Sequence, residues 1–263
     1  MRWARALACA IAMLRFGEPC IKDGAVLVPS RGGFRALSWG FPMSGFSTAR
    51  QKMVDGQVRP SDVTDIRIID AMLAVPREAF VPPNQRALAY LDLDLDVSEG
   101  GAAKRFLIKP VVTAKMLQTA EIKDTDNVLV VGCASGYSAA VIAKLAGKVT
   151  ATESDPSLVA KARDAFAELG LGNVTVRAAA AAEGDSANAP YDVIVLNGAT
   201  EIVPEGLYRQ LKDGGRLLGV FAMTQPQRAT IVTHSHDDFG SRALFDAAVP
   251  VLPGLERPAA FVF

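Results

Sequence analysis

Five small residues, Gly132-Cys133-Ala134-Ser135-Gly136, end the compact apolar run Asn127–Val131 and lead into a helical pattern over Tyr137–Ala146. Gly132 permits a sharp turn there, and the small side chains let backbone come close to a bound ligand. Glu153 follows about twenty residues after Gly132, at the tip of a second apolar run, Lys148–Thr152. A carboxylate at that point accepts two hydrogen bonds from ribose hydroxyls. A dinucleotide would call for glycine at 132, 134 and 137, but Ala134 and Tyr137 stand at two of these. A nucleoside ligand without a pyrophosphate therefore fits better. The bland alternatives are an ordinary strand-to-helix turn and a surface glutamate.

Other residues offer weaker chemistry. His234-Ser235-His236, followed by Asp237-Asp238, puts two imidazoles on one strand face. These are the only histidines, so a polar strand end explains them better than a metal, and none is expected. Cys133 reads as a small turn residue rather than a reactive thiol. Asn197-Gly198-Ala199 follows a fourth apolar run, at the sheet edge where ligands are expected. Asn197 there either orients a substrate or satisfies local backbone.

The elements that would position these groups alternate. Strands are predicted at 127–131, 148–152, 174–177, 191–196 and 216–221, with helices at 137–146, 156–169 and 204–211 between them. That order predicts an α/β fold with a doubly wound, mostly parallel sheet. Further strands are expected at 230–234, 243–248 and 259–263. Upstream, Thr64 is expected to cap a helix over 65–75, whose apolar face carries Ile66, Ile69 and Leu73, widened by Met72. Residues 91–105 alternate apolar and acidic before turning Gly/Ala-rich, as a strand-like edge leading into a loop would. Pro110 suits the first turn of another helix.

The formal net charge is zero, which gives no sign of a nucleic-acid partner. The leading 43 residues carry six basic and two acidic side chains, leaving a mildly acidic body of twenty-two basic and twenty-six acidic ones. Only Cys133 belongs to that body, so a reducing compartment is the default. The apolar run Ala6–Leu14 is too short to span a bilayer, and Arg15 and Glu18 follow it without a convincing cleavage site. Residues 1–45 are read as a leader, disordered or upstream of a working start at Met43 or Met53. Residues 46–109 are read as a helical lead-in with a substrate loop, and 110–263 as the sheet domain.

The segment Val128–Ala139 resembles motif I of the protein-L-isoaspartate O-methyltransferases. Ala71-Met72-Leu73-Ala74-Val75-Pro76-Arg77-Glu78-Ala79-Phe80-Val81-Pro82 is similar to that family's Val-Pro-Arg-x-x-Phe-Val-Pro segment. Asn173-Val174, Ala189–Ile194, Val203-Pro204 and Gln210–Leu217 continue the resemblance in order, over roughly residues 46–225. It implies a seven-stranded, Rossmann-like methyltransferase sheet, S-adenosylmethionine as methyl donor, and a cytosolic repair role on isoaspartyl side chains of proteins. It assigns donor binding to Gly132, Cys133, Ala134, Ser135, Gly136, Glu153, Ser154 and Ala180.

There are departures. Val130 stands where the family has an acidic residue, Ala134 where it has a glycine, and Ala179-Ala180-Ala181 where it has Gly-Asp-Gly. The acceptor loop keeps only its proline in Leu107-Ile108-Lys109-Pro110, with Ile108 at the hydroxyl position. Ile108, Lys109 and Asn197 remain the acceptor candidates, Lys109 as a cation for a carboxylate or as a solvated loop lysine. Two functions follow: a carboxyl methyltransferase, or a non-catalytic relative that binds or regulates.

Overall fold

The computed structural model describes residues 44–258 except 99, 101, 102 and 237, with the backbone of three short strands before them. Those strands, β1 (Ile21–Lys22), β2 (Ala25–Ser30) and β3 (Gly33–Ser38), form an antiparallel sheet where no periodic structure is predicted. Side chains of residues 1–43, and the strand expected at 259–263, lie outside the described residues.

Helix α1 (Ser44–Met53) runs into a π-helical turn, Val54–Val58. In α2 (Ile66–Ala74) the cap is Asp65 rather than Thr64: its carboxylate accepts from the Arg67 amide at 2.9 Å. The buried face is also displaced. Ile68, Ile69 and Met72 are buried, while Ile66 is 67 % exposed.

The 91–96 alternation yields only a two-residue strand, β4 (Leu95–Asp96), paired with β5 (Phe106–Leu107). Asp94 instead turns to the start of α3 (Pro110–Ala120), accepting from the Lys109 amide at 2.9 Å. An acidic side chain satisfies an orphan donor there and opposes the positive end of the helix dipole.

The main sheet has seven strands in the order β12-β11-β10-β9-β6-β7-β8. They are β6 (Asn127–Val131), β7 (Lys148–Glu153), β8 (Val174–Ala178), β9 (Tyr191–Thr200), β10 (Leu211–Phe221), β11 (Arg228–Ser235) and β12 (Asp238–Asp246). The five neighbours β10, β9, β6, β7 and β8 pair in parallel; β11 and β12 return as antiparallel hairpins and leave β12 at the edge. Helices α4 (Tyr137–Ala143), α5 (Pro156–Glu168) and the single turn α6 (Glu205–Tyr208) make crossovers, all shorter than predicted, α5 by a single residue.

The apolar run of β6 is buried on both faces. Val128 and Val130 join one hydrophobic cluster, Leu129 and Val131 another. This is the two-sided burial expected of a central parallel strand. Strand order reverses between β6 and β9, so the crevice at their carboxyl ends is the ligand position for such a sheet.

Candidate functional site

Gly132 leaves β6 at φ +66°, and Ala134 takes the left-handed backbone at φ +53°. An alanine held so costs about 1–2 kcal/mol, so the turn keeps a shape that suits glycine despite the substitution. Its orientation is useful: the Ala134 amide donates to Glu153 Oε2 at 2.9 Å. Ser135 donates its hydroxyl to the Phe80 carbonyl, tying the turn to the Val-Pro-Arg segment. Arg77 in that segment is wholly buried. It donates to the carbonyls of Ala89 at 2.8 Å and Ile108 at 2.9 Å, and its guanidinium lies 4.6 Å from the Tyr137 ring centroid. It fixes the loop that leads into α3.

Glu153, at the end of β7, is not a surface residue; it is 0 % exposed. Its Oε1 accepts from the amides of Ser154 at 2.8 Å and Asp155 at 3.0 Å, and pairs with Arg105 Nε at 2.7 Å. A second Arg105 nitrogen reaches the Ser154 hydroxyl. Arg105 itself is 6 % exposed, and its backbone amide donates to Ser98 Oγ at 2.7 Å. Both carboxylate oxygens expected to receive ribose hydroxyls are thus engaged by the protein's own donors. Arg105 is the residue that sequence reasoning missed. It closes the Gly/Ala-rich stretch after residue 98, and only its charge beside an apolar strand marked it.

The methionine end of the expected donor site is also filled. After β12 the chain returns across the sheet edge, where the Leu252 amide donates to the Ala199 carbonyl and the Ala199 amide to the Pro250 carbonyl. Leu252 then packs over two glycines. A methyl group at Gly132 would sit 2.5 Å from its Cδ2, and one at Gly198 would sit 2.8 Å from its Cγ. Between Arg105, Phe106, Ile108, Gly132, Asn197 and Leu252 a space of only about 10 Å³ remains. Ligand sites of nucleoside size need roughly 300 Å³ or more.

The remaining candidates also find partners within the chain. Ile108 is 2 % exposed. Lys109 is partly exposed, and its Nζ donates to the Ala248 carbonyl at 3.1 Å and lies 3.6 Å from Asp94. Asn197 falls inside β9 rather than after it. Its amide donates to the Gly132 carbonyl at 3.0 Å, and its Oδ1 accepts from the Ser138 hydroxyl at 3.0 Å. Asn197 therefore joins β6, β9 and α4 at the switch point.

Ala180 is exposed, and its methyl offers no hydrogen bond to a ligand. Cys133 is buried, and desolvation holds its thiol protonated. The His234 ring bonds the Lys212 carbonyl at 3.1 Å and stacks on Phe239. Among the described residues no group of three or more His, Cys, Asp or Glu is gathered for a metal, and no helix is long and apolar enough to cross a membrane.

Known proteins share this architecture and sequence. The model of the protein-L-isoaspartate(D-aspartate) O-methyltransferase family matches residues 48–246. The chain is 39 % identical to protein-L-isoaspartate O-methyltransferase 2 of Anaeromyxobacter sp. (strain Fw109-5), over 73 % of this chain and 79 % of that one. It is 38 % identical to protein-L-isoaspartate O-methyltransferase 1 of Rhodopseudomonas palustris (strain HaA2), over 82 % and 92 %.

Among solved structures, a protein-L-isoaspartate O-methyltransferase superposes with a TM-score of 0.70 at 24 % identity, covering 79 % of this chain and 67 % of its own. A Plasmodium falciparum protein described as a putative member, in complex with S-adenosyl-L-homocysteine, gives 0.65 at 18 %, covering 79 % and 97 %. These two establish the seven-stranded methyltransferase fold. With the family model spanning most of the sheet and curated relatives covered over more than two thirds of their length, the chain belongs to the protein-L-isoaspartate(D-aspartate) O-methyltransferase family.

Proposed function

We propose that the chain is a carboxyl O-methyltransferase that uses S-adenosylmethionine and acts on isoaspartyl side chains of damaged proteins in the cytosol. The observation that carries this reading is the β6 turn joined to Glu153 at the switch point, in a chain the family model matches from 48 to 246. This reading assigns Glu153 to the ribose, the 132–136 turn to the methionine end, and the 107–110 loop to the acceptor.

The acceptor chemistry asks little of side chains. A carboxylate is ionised at neutral pH, with a pKa of about 4, and needs no general base. The protein's task is alignment and exclusion of water. Ile108 at the loop's hydroxyl position is consistent with that low demand. The residues as arranged, however, do not fit the donor: Arg105 and Leu252 hold the volume it needs. The test is transfer of a labelled methyl group from S-adenosylmethionine to an isoaspartyl peptide, with an aspartyl peptide as control. Labelling of the isoaspartyl peptide alone is expected; equal labelling, or none, overturns the assignment.

A second reading, a non-catalytic relative that binds or regulates, draws on that same filling and on the burial of Ile108. Absence of methyl transfer to any carboxylate, together with no binding of S-adenosylhomocysteine by the wild type or by its R105Q variant, would select it.

A further inference from the structure

We propose that Arg105 is a built-in competitor of the methyl donor, so that donor binding requires this chain to give up its own ion pair with Glu153. The inference rests on the methyltransferase reading above and adds a device to its donor site.

The geometry is that of a substituted ligand. A bound ribose offers hydroxyl donors to a carboxylate; here a guanidinium supplies them, with Nε 2.7 Å from Oε1. The amides of Ser154 and Asp155 also donate to Oε1, and that of Ala134 donates to Oε2. Oε1 is thus saturated, and a ribose that needs both oxygens cannot engage it until Arg105 withdraws. The pair is shielded from water, at 6 % and 0 % exposure, so salt screens it little.

Its carrier is lightly fastened. Strands β4 and β5 share two residue pairs, and the bond from the Arg105 amide to Ser98 and the exposed Lys104–Asp96 pair at 3.6 Å close the ribbon behind the arginine. Leu252 forms a second stopper on a different segment, held to β9 by the two backbone bonds between Ala199 and residues 250 and 252. Opening the site therefore needs two short segments to move while the seven-stranded sheet stays intact. Displacing a buried ion pair lowers affinity by roughly a hundredfold.

The experiment is calorimetric titration of the full chain with S-adenosylhomocysteine, in wild type, R105Q and L252A. Wild type is expected to show no saturation below about 1 mM, and R105Q to bind at least about tenfold more tightly. The same ligand should raise the melting temperature of R105Q but not that of wild type. L252A keeps the ion pair and frees volume over Gly132, and it is expected to gain several-fold. It serves as the decisive variant if R105Q does not fold, and no gain in it then overturns the proposal. Wild-type binding near 10 μM that R105Q leaves unchanged overturns the competitor while leaving the methyltransferase reading in place. No binding by any of the three at millimolar ligand removes both.

Discussion

At the carboxyl ends of β6 and β7, buried polar groups converge on Glu153, and only about 10 Å³ is left open between Arg105, Gly132, Asn197 and Leu252. Across the sheet, beside α6 and strands β10 to β12, a groove of about 680 Å³ lies open, lined by Tyr208, Phe221, Val232 and Phe239. Its charged neighbours are exposed and paired locally, Arg209 with Glu205 at 3.7 Å and Arg228 with Asp246 at 3.1 Å. The large hollow exists because antiparallel hairpins join β10 to β12 directly, so no crossover helix covers that face. The small one exists because two return segments drop side chains onto the strand ends. Volume thus marks where an element is missing, and convergent polar groups mark where separate segments are tied to the strand ends.

The contrast can be broken most forcefully at the ion pair. Arg105→Met should cost about 3–5 kcal/mol in denaturant unfolding, because Glu153 stays buried without its counter-charge. A loss under about 1 kcal/mol would mean that water reaches Glu153 freely.

Next comes Gly132→Ala, expected to cost about 2–4 kcal/mol from its positive φ and the collision with Leu252. Gly214, at φ +77° with nothing within 4 Å, supplies the control: its alanine variant should lose only about 1–2 kcal/mol. In a double-mutant cycle Leu252→Ala should recover about 1 kcal/mol or more of the Gly132→Ala cost. Strict additivity would place the strain in the backbone alone.

Asp155→Ala removes the cap of α5, where the carboxylate accepts from the Ser157 amide at 2.8 Å and its hydroxyl at 2.6 Å. About 1 kcal/mol should be lost at neutral pH. The Ser157 hydroxyl is the main cause holding this carboxyl below its ordinary value of 3.8. The contribution is therefore complete above about pH 4 and disappears as pH falls through the folded value. Unfolding curves of wild type and variant should converge on acidification, and a constant gap would contradict the assignment.

The smallest effect is expected at the open groove. Phe239→Leu, which removes the stacking on His234 at 4.7 Å and the ring contact with Tyr208 at 5.1 Å, should cost about 0.5–1 kcal/mol.

What could be read from the chain divides along the same line. The five parallel strands, the 132–136 turn and Glu153 were legible because apolar runs and small-residue turns are local signals. Arg105 was not, since its partner lies 48 positions away and no local period points to it. Leu252 was hidden for the same reason, its contacts being with Gly132 in the β6 turn and Gly198 in β9, both distant in the chain. The acidic alternation at 91–96 misled because Asp94 serves the α3 terminus rather than a solvent face. Asn197 was placed after its strand because Asn-Gly usually marks a turn, yet it lies within β9, with its amide bound to the Gly132 carbonyl and its carbonyl to the Ser138 hydroxyl of α4.

The placement of β12 at the sheet margin has a colloidal consequence. Its outer row of backbone donors and acceptors is open to any extended peptide that drifts alongside. Asp238, Arg242 and Asp246 along this strand, and the irregular pairing near Ala229 and Thr230, make the margin charged and uneven. Neutralising those three side chains together should leave the fold standing and bring on self-association, because the chain as a whole has no net charge to keep copies apart.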